Sequence, residues 1–335
     1  MHRNLLDVLA DPETGQPLSL VDDDGRDPIE EGTLTSGGGR TYQIVRGVPR
    51  LVPGEDYGSS FGLQWNRFAR VQLDSANGAG YSRRRFDSET GWAAEELAGK
   101  WLVDIGCGSG RFAEIAAGYG AEVIAVDLSS AVDAAQRNLG HLPNVHVVQA
   151  DLRHLPVRRD AIDRLYCLGV LQHTPDPLAS ARALVEALPP GGRFAFTIYG
   201  RGPLTKVNTK YLVRPLTRRI EPERLLAATE RAMPVLFPLT SFLYALPVVG
   251  RAFSFAIPVA NYVDRTDLSR DARYQEAILD TFDMLSPRYD HPVTADEVTA
   301  TLAGLCEQID VASARPVVVR GTRITNPRAG GTPPA

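Results

Sequence analysis

The chain has 335 residues, 44% hydrophobic and 23% charged, a globular balance that excludes a disordered polymer. Its 36 basic and 40 acidic side chains leave a net charge of −4, so no global cationic field points to nucleic acid. Cys107, Cys167 and Cys306 are odd in number and far apart, which excludes a disulfide framework and fits a reducing compartment. The start, MHRNLLDVLADPETG, has early acids and no apolar run, so no signal peptide is expected. The apolar stretch Val235 to Ala260 is broken by Pro238, Pro247, Gly250, Arg251 and Pro258. It reads as a buried or cleft-covering helical region, since a span needs about 20 mainly apolar residues in succession. A cytoplasmic protein without a membrane partner is the expectation.

Residues 1–53 read as a small separate unit. A short helix over Asn4 to Leu9 leads into TLTSGGGRTYQI and VRGVPRLVP, a hairpin turning at Gly37-Gly38-Gly39. Leu5, Leu6, Leu9, Pro12, Arg40, Tyr42, Ile44, Gly47, Val48, Pro49 and Leu51 stand where a pattern of a known domain has them. The segment resembles the zinc-ribbon-like domain that precedes or activates many methyltransferases. The four cysteine positions of that domain hold Asp11, Thr14, Thr35 and Gly38, so the resemblance implies a degenerate, metal-free form.

Residues 54–98 form a linker and an N-terminal helical flap, with YGSSFGLQWNRF at its start and a helix-like run from Arg83 to Leu97. Residues 99–199 alternate between strands and helices: KWLVDIG, AEVIAVDL, VHVVQADL, DRLYCLGV and RFAFTIYG as strands, with helical runs between. Ser129 or Ser130 is a candidate cap for the helix after the second strand. This rhythm predicts a parallel sheet with helices on both faces. Residues 200–290 interrupt it with a largely helical insertion, in which Pro215 should break or kink the first helix. Residues 291–323 return to a helix, capped by Thr294 with Glu297 three positions on, and a final pair of strands. The tail 324–335 reads as disordered.

The informative stretch is Val103-Asp104-Ile105-Gly106-Cys107-Gly108-Ser109-Gly110 in the first strand-to-helix turn, where sheets of this kind bind ligands. A dinucleotide fingerprint would need a glycine at 111, where Arg111 stands. Asp127 ends the second strand, Asp151 and Leu152 follow the third, and Leu168 and Gly169 close the fourth. A carboxylate at the tip of the second strand can accept both hydroxyls of a ribose. The D-x-G-x-G-x-G pattern resembles motif I of class I S-adenosylmethionine-dependent methyltransferases. FGLQWNRF, LGVLQHTPDP and DTFDMLSPRYDHP extend the likeness to a bacterial group carrying the degenerate ribbon domain.

That resemblance implies an α/β fold: a Rossmann-like methyltransferase sheet with a helical lid insertion and a small N-terminal β-rich domain. It implies S-adenosylmethionine as cofactor, S-adenosylhomocysteine as product and no metal. Asp104 would lie by the amino acid end of the cofactor, and Gly106, Cys107, Gly108 and Gly110 would form its loop. Asp127 and Leu128 would take the ribose, Asp151 and Leu152 the adenine, and Leu168 and Gly169 would flank it. Phe61, Gln64 and Trp65 form a candidate flap over it.

His173, at the carboxyl end of the fourth strand, is the first candidate base, because histidine titrates near neutrality. Tyr199, after the fifth strand, is a candidate to line the acceptor pocket. Lys206, Lys210, Tyr211 and Arg214 form a run with basic residues at helical spacing. With Tyr289 they are candidate acceptor contacts, and they imply an anionic acceptor if they face the site. The run also reads as a solvated face paired with Glu221 and Glu223. Asp280, Asp283, Arg288, Tyr289, Asp290 and His291 form a second polar cluster, readable as pocket lining or as a structural ion-pair network. A small-molecule acceptor is the leading expectation. Methylation of a macromolecule (tRNA or protein) and a noncatalytic cofactor-binding protein stay open, as does a homo-oligomer.

Overall fold

The computed structural model describes residues 1–52 and 58–325. The domain boundary expected at residue 53 and most of the expected disordered tail lie outside the described residues.

The central strands are β5 (Trp101–Ile105), β6 (Glu122–Asp127), β7 (Val145–Gln149), β8 (Arg164–Leu168) and β9 (Arg193–Ile198). They pair in parallel in the order β7-β6-β5-β8-β9. Leu102, Val103, Ile105, Val123, Ile124 and Ala125 are fully buried, as strands covered on both faces must be. Around them pack α4 (Arg111–Gly118), α5 (Ala131–Leu139) and α6 (Pro177–Ala187). Asp176 caps α6 by accepting from the Leu178 and Ala179 amides, with Pro177 at the first helical position. The strand order reverses between β5 and β8, and this opens a crevice at their carboxyl ends.

Both edges of the sheet are antiparallel. β10 (Cys306–Ala314) and β11 (Val317–Arg323) complete it beside β9, after α11 (Ala295–Leu302). Thr294 and Glu297 make the expected reciprocal capping box at the start of α11. At the other edge lie β1 (Leu18–Asp23), β2 (Gly32–Ser36), β3 (Thr41–Val45) and β4 (Val48–Arg50). The expected hairpin is β2–β3.

The N-terminal segment is not a detached unit. β4 pairs in parallel with β7, and Leu5, Leu9, Leu34, Ile44 and Leu51 share one core with Val148 and Leu165. The helix read over Asn4 to Leu9 is a single 3-10 turn, Arg3–Asp7.

Between these parts run α1 (Ser59–Arg67), α2 (Asp74–Asn77) and α3 (Tyr81–Thr90). The helix expected from Arg83 to Leu97 stops at Thr90, because Gly91 adopts a left-handed terminal conformation with φ 65°. The insertion after β9 holds α7 (Thr209–Thr217), α8 (Pro222–Tyr244), α9 (Gly250–Ala256) and α10 (Arg270–Leu285). α8 runs unbroken through Pro234 and Pro238. Both prolines sit on its exposed side, where water can serve the carbonyls that lose an amide donor. Its other face, Leu225, Leu226, Met233 and Phe237, packs with Ile278, Leu279 and Phe282 of α10 in a core of its own. Pro215 is likewise accommodated within α7.

Candidate active site

The strand ends of the crevice and the inserted helices enclose one large cavity of about 1410 Å³. The β5–α4 loop forms its floor. Gly108 has φ 55°, and a Cβ there would come within 2.9 Å of the Trp65 indole, so only glycine lets α1 settle on the loop. Gly110 has φ 93° and packs against Leu139 of α5 beneath the cavity rather than lining it.

Asp127 ties this loop to the next. Its Oδ2 accepts from the Gly108 amide at 3.0 Å, and its Oδ1 accepts from the Ser129 amide at 2.9 Å and the Ser129 hydroxyl at 2.7 Å. Burial pushes the carboxyl up, and these hydrogen bonds pull it back towards the ionised form. Of the two candidate caps, Ser130 is the N-cap residue of α5 but makes no side-chain capping bond, while the Ser129 hydroxyl accepts from the Ala131 amide at 3.2 Å.

Asp104 lies beneath the loop, 2% exposed, and among the described residues its Oδ2 has no hydrogen-bond partner. Burial is the main cause that raises its pKa to about 8. An acid raised in this way stabilises the fold fully below its unfolded value of about 3.9, and that contribution is lost as pH rises through 8. Asp104→Asn has no such loss, so its melting temperature should gain on the parent steadily from pH 5 to pH 8. A constant difference across that window would reject a protonated Asp104.

The other side of the cavity carries the chemistry. His173 is buried, and its Nδ1 lies 3.0 Å from the Tyr289 carbonyl oxygen. That carbonyl can only accept, so Nδ1 carries the proton and Nε2 keeps the lone pair. Burial lowers the histidine pKa and favours the neutral ring. Phe61 packs on it at 5.1 Å and Tyr199 meets it edge-on at 5.6 Å. Tyr199 is half-buried, its hydroxyl pushed up by burial, with the Lys210 ammonium 4.5 Å from its ring centre.

Most of the residues singled out in the sequence meet here: Phe61, Gln64, Trp65, Gly106, Cys107, Gly108, Asp127, Leu128, Leu152, Leu168, Gly169, His173, Tyr199, Lys210 and Tyr211 all line the cavity. Asp104, Gly110 and Asp151 stand just outside the lining, and the Asp151 carboxylate is bound by Arg153.

The basic run does not present the expected cationic face. Lys206 is exposed away from the cavity. Arg214 is buried and spends its guanidinium on the Met284 and Pro287 carbonyls at 3.0 and 2.8 Å. Lys210 pairs with Asp290 at 2.6 Å. Tyr289 contributes its carbonyl to His173 and does not line the cavity.

Sequence reasoning missed the contribution of α3. Tyr81, Arg85 and Glu89 recur every four residues, which puts them on one helical face, and all three line the cavity. Arg85 pairs with Glu89 at 2.7 Å, and Glu89 accepts from Thr197 at 2.7 Å. Gln72 and Tyr262 were also missed. Gln72 donates to Asp280 at 3.2 Å. Asp283 accepts from Gln64 at 2.9 Å, and burial with its acidic neighbours raises Asp280 to about 7. Asp280 and Asp283 thus face this half of the cavity beside Arg85, Arg111 and Lys210, a lining of mixed charge.

Comparison with known proteins places a family described as a methyltransferase domain over residues 103–196. A ubiquinone biosynthesis O-methyltransferase of Xanthomonas oryzae pv. oryzae (strain PXO99A) is 34% identical over 130 residues, 37% of this chain and 54% of that protein. The enzyme of the same description from Acinetobacter baumannii (strain AYE) is 31% identical over 132 residues, 36% of this chain and 55% of that one. The chain thus spans about half the length of the curated relatives it matches. Among solved structures, an S-adenosylmethionine-dependent methyltransferase from Mesorhizobium loti is 33% identical, covers 32% of this chain and 55% of its own, and has a TM-score of 0.29. Residues 103–196, which hold most of the parallel part of this Rossmann-like α/β sheet, are thus similar to a methyltransferase domain.

Proposed function

We propose that this chain transfers the methyl group of S-adenosylmethionine to a small molecule enclosed beneath α7–α10. One observation carries the reading: a single cavity joins the carboxyl ends of β5, β6 and β8 to His173, Tyr199 and the inserted helices. A cavity roofed by inserted helices favours a discrete acceptor over a strand of RNA or a protein surface. A histidine whose tautomer is set by a backbone carbonyl favours turnover over mere cofactor binding.

The residues present fit the cofactor. The loop is a cradle that a Cβ at Gly108 would obstruct, and Asp104 offers a buried oxygen without a partner. Asp127 and Leu128 would hold the ribose, Leu152 and Asp151 the adenine, and Asp104 the amino acid end. The sulfonium supplies the reactive methyl group. The protein supplies orientation and a dry pocket.

The curated relatives are named for O-methyl transfer, which supports a hydroxyl acceptor here too. His173 Nε2 would take the hydroxyl proton as the oxygen attacks. Asp280 and Asp283 would orient hydroxyl or amine donors, which replaces the anionic acceptor implied by the basic run.

Protein incubated with methyl-tritiated cofactor and cell extract should place label in the low-molecular-weight fraction. Label confined to RNA or protein would select the macromolecular alternative, and no transfer despite cofactor binding would select the noncatalytic one.

The N-terminal segment completes the reading as a metal-free relative of a zinc ribbon. Asp11, at one former ligand position, accepts from the Glu13 and Thr14 amides at 2.9 and 3.0 Å, from Arg40 at 3.3 Å and from Tyr42 at 3.2 Å. A carboxylate so committed to donors is a poor metal ligand. Metal analysis of the purified protein should find zinc far below stoichiometric, and a tightly held equivalent per chain would overturn this.

A further inference from the structure

The insertion has a second face that the chemistry does not use. On α8 the positions Arg231, Val235, Leu239 and Phe242 fall at helical spacing on the side away from the core. Val235 is 70% exposed and Phe242 67%. The stripe runs into the turn after α8, where Val248 is 97% exposed and Val249 46%. Three residues further, Arg251 and Ser254 are exposed and also line the cavity. Leu204, 65% exposed, is likewise in the lining, and exposed Lys206 and Val207 follow it in the chain outside the lining. The exposed part of the lining therefore joins apolar Leu204 and basic Arg251 with Tyr262 and one acid, Asp264.

The charge of this region is opposite to that of the whole. Residues 200–263 hold nine Lys and Arg against three acids, in a chain of net charge −4. No acid occurs between Arg231 and Val263. Large apolar side chains left in water around an opening mark an interaction surface. Mixed with arginine, they match an anionic lipid interface: apolar side chains enter the acyl boundary and arginines meet headgroup phosphates. Among the described residues no helix is long and apolar enough to cross a membrane, so the contact would be peripheral.

We propose that the rim formed by Leu204, Val207, the exposed stripe of α8 and the Val248-Val249 turn docks on an anionic lipid surface, with the cavity mouth against it. The docking departs from the expectation of no membrane partner. It does not depend on which molecule the cavity methylates.

Flotation of the full-length protein with vesicles tests this. The protein should rise with phosphatidylcholine–phosphatidylglycerol vesicles, stay below with phosphatidylcholine alone, and lose binding as salt increases. The double variant Phe242→Ser/Val248→Ser should lower partitioning at least about tenfold, while calorimetric S-adenosylhomocysteine binding stays intact, since neither residue lines the cavity. Arg231→Glu, an exposed change that leaves the core untouched, should lower partitioning on the anionic vesicles roughly tenfold. No flotation of the parent protein, or equal flotation on both vesicle types that the variants leave unchanged, would overturn the proposal. A concentration-dependent dimer that the double variant dissolves, without vesicle binding, would also overturn it and assign the face to a second copy. Loss of cofactor binding in every form, with vesicle binding kept, would reject the methyltransferase reading and leave this one standing.

Discussion

His173→Gln should lower kcat by about a hundredfold to ten-thousandfold, the usual worth of a positioned general base, and leave S-adenosylhomocysteine affinity within a few fold. Glutamine can keep donating to the Tyr289 carbonyl, which His173 Nδ1 now meets at 3.0 Å, so the ring's place in the core is preserved while the basic nitrogen is lost. The pH profile separates catalysis from packing. The working form is the neutral imidazole. Burial lowers its pKa, so the neutral form already dominates at the ordinary histidine value of about 6.5. The parent rate should therefore keep an acidic limb below the ordinary histidine value, apart from any step that Asp280 adds near 7, and the variant should lack that acidic limb. A variant that loses rate yet keeps the limb would demote His173 to a packing role.

Asp127→Ala should weaken S-adenosylhomocysteine binding by about a hundredfold or more. Two hydrogen bonds from ribose hydroxyls to a charged acceptor are worth about 1.5–3 kcal/mol each. The alanine also frees the Gly108 and Ser129 amides that Asp127 holds, which loosens the loop in the same direction. Asp127→Asn retains an acceptor oxygen without the charge and should fall between. Calorimetric titration of the folded variants reads both, and unchanged affinity in the alanine variant would remove Asp127 from the site.

The cofactor half of this cavity was legible in the sequence because its signals are local. A strand, a glycine turn and a helix follow one another in immediate succession, and Asp127 and Leu168 end strands, with Leu152 just after one, whose patterns are readable on their own. The acceptor half was not, because its meaning lies in partners far along the chain. Helical spacing shows that Lys210 and Arg214 share a face. It does not show that Asp290 and the Met284 and Pro287 carbonyls lie against that face. The four-residue repeat of Tyr81, Arg85 and Glu89 was equally visible. Only the fold brings Thr197 to Glu89 and so turns the repeat towards the cavity. Pro215, expected to break or kink its helix, lies within α7, because the signal of a proline is local and the packing that accommodates it is not.

The pairing of β4 with β7 gives the N-terminal segment a place in the sheet. Without it, β7 would be the border of the sheet, a flat row of unanswered amides and carbonyls flanked by valines, and such a border recruits other chains into fibrils. β4 covers the Gln149 end of β7, and beyond it the border passes outward to β1, which is irregular between Leu20 and Asp22 and ends in Asp22-Asp23. A broken register and paired negative charges make a poor template for further strands. The segment thus closes this side of the sheet with a border that resists further pairing.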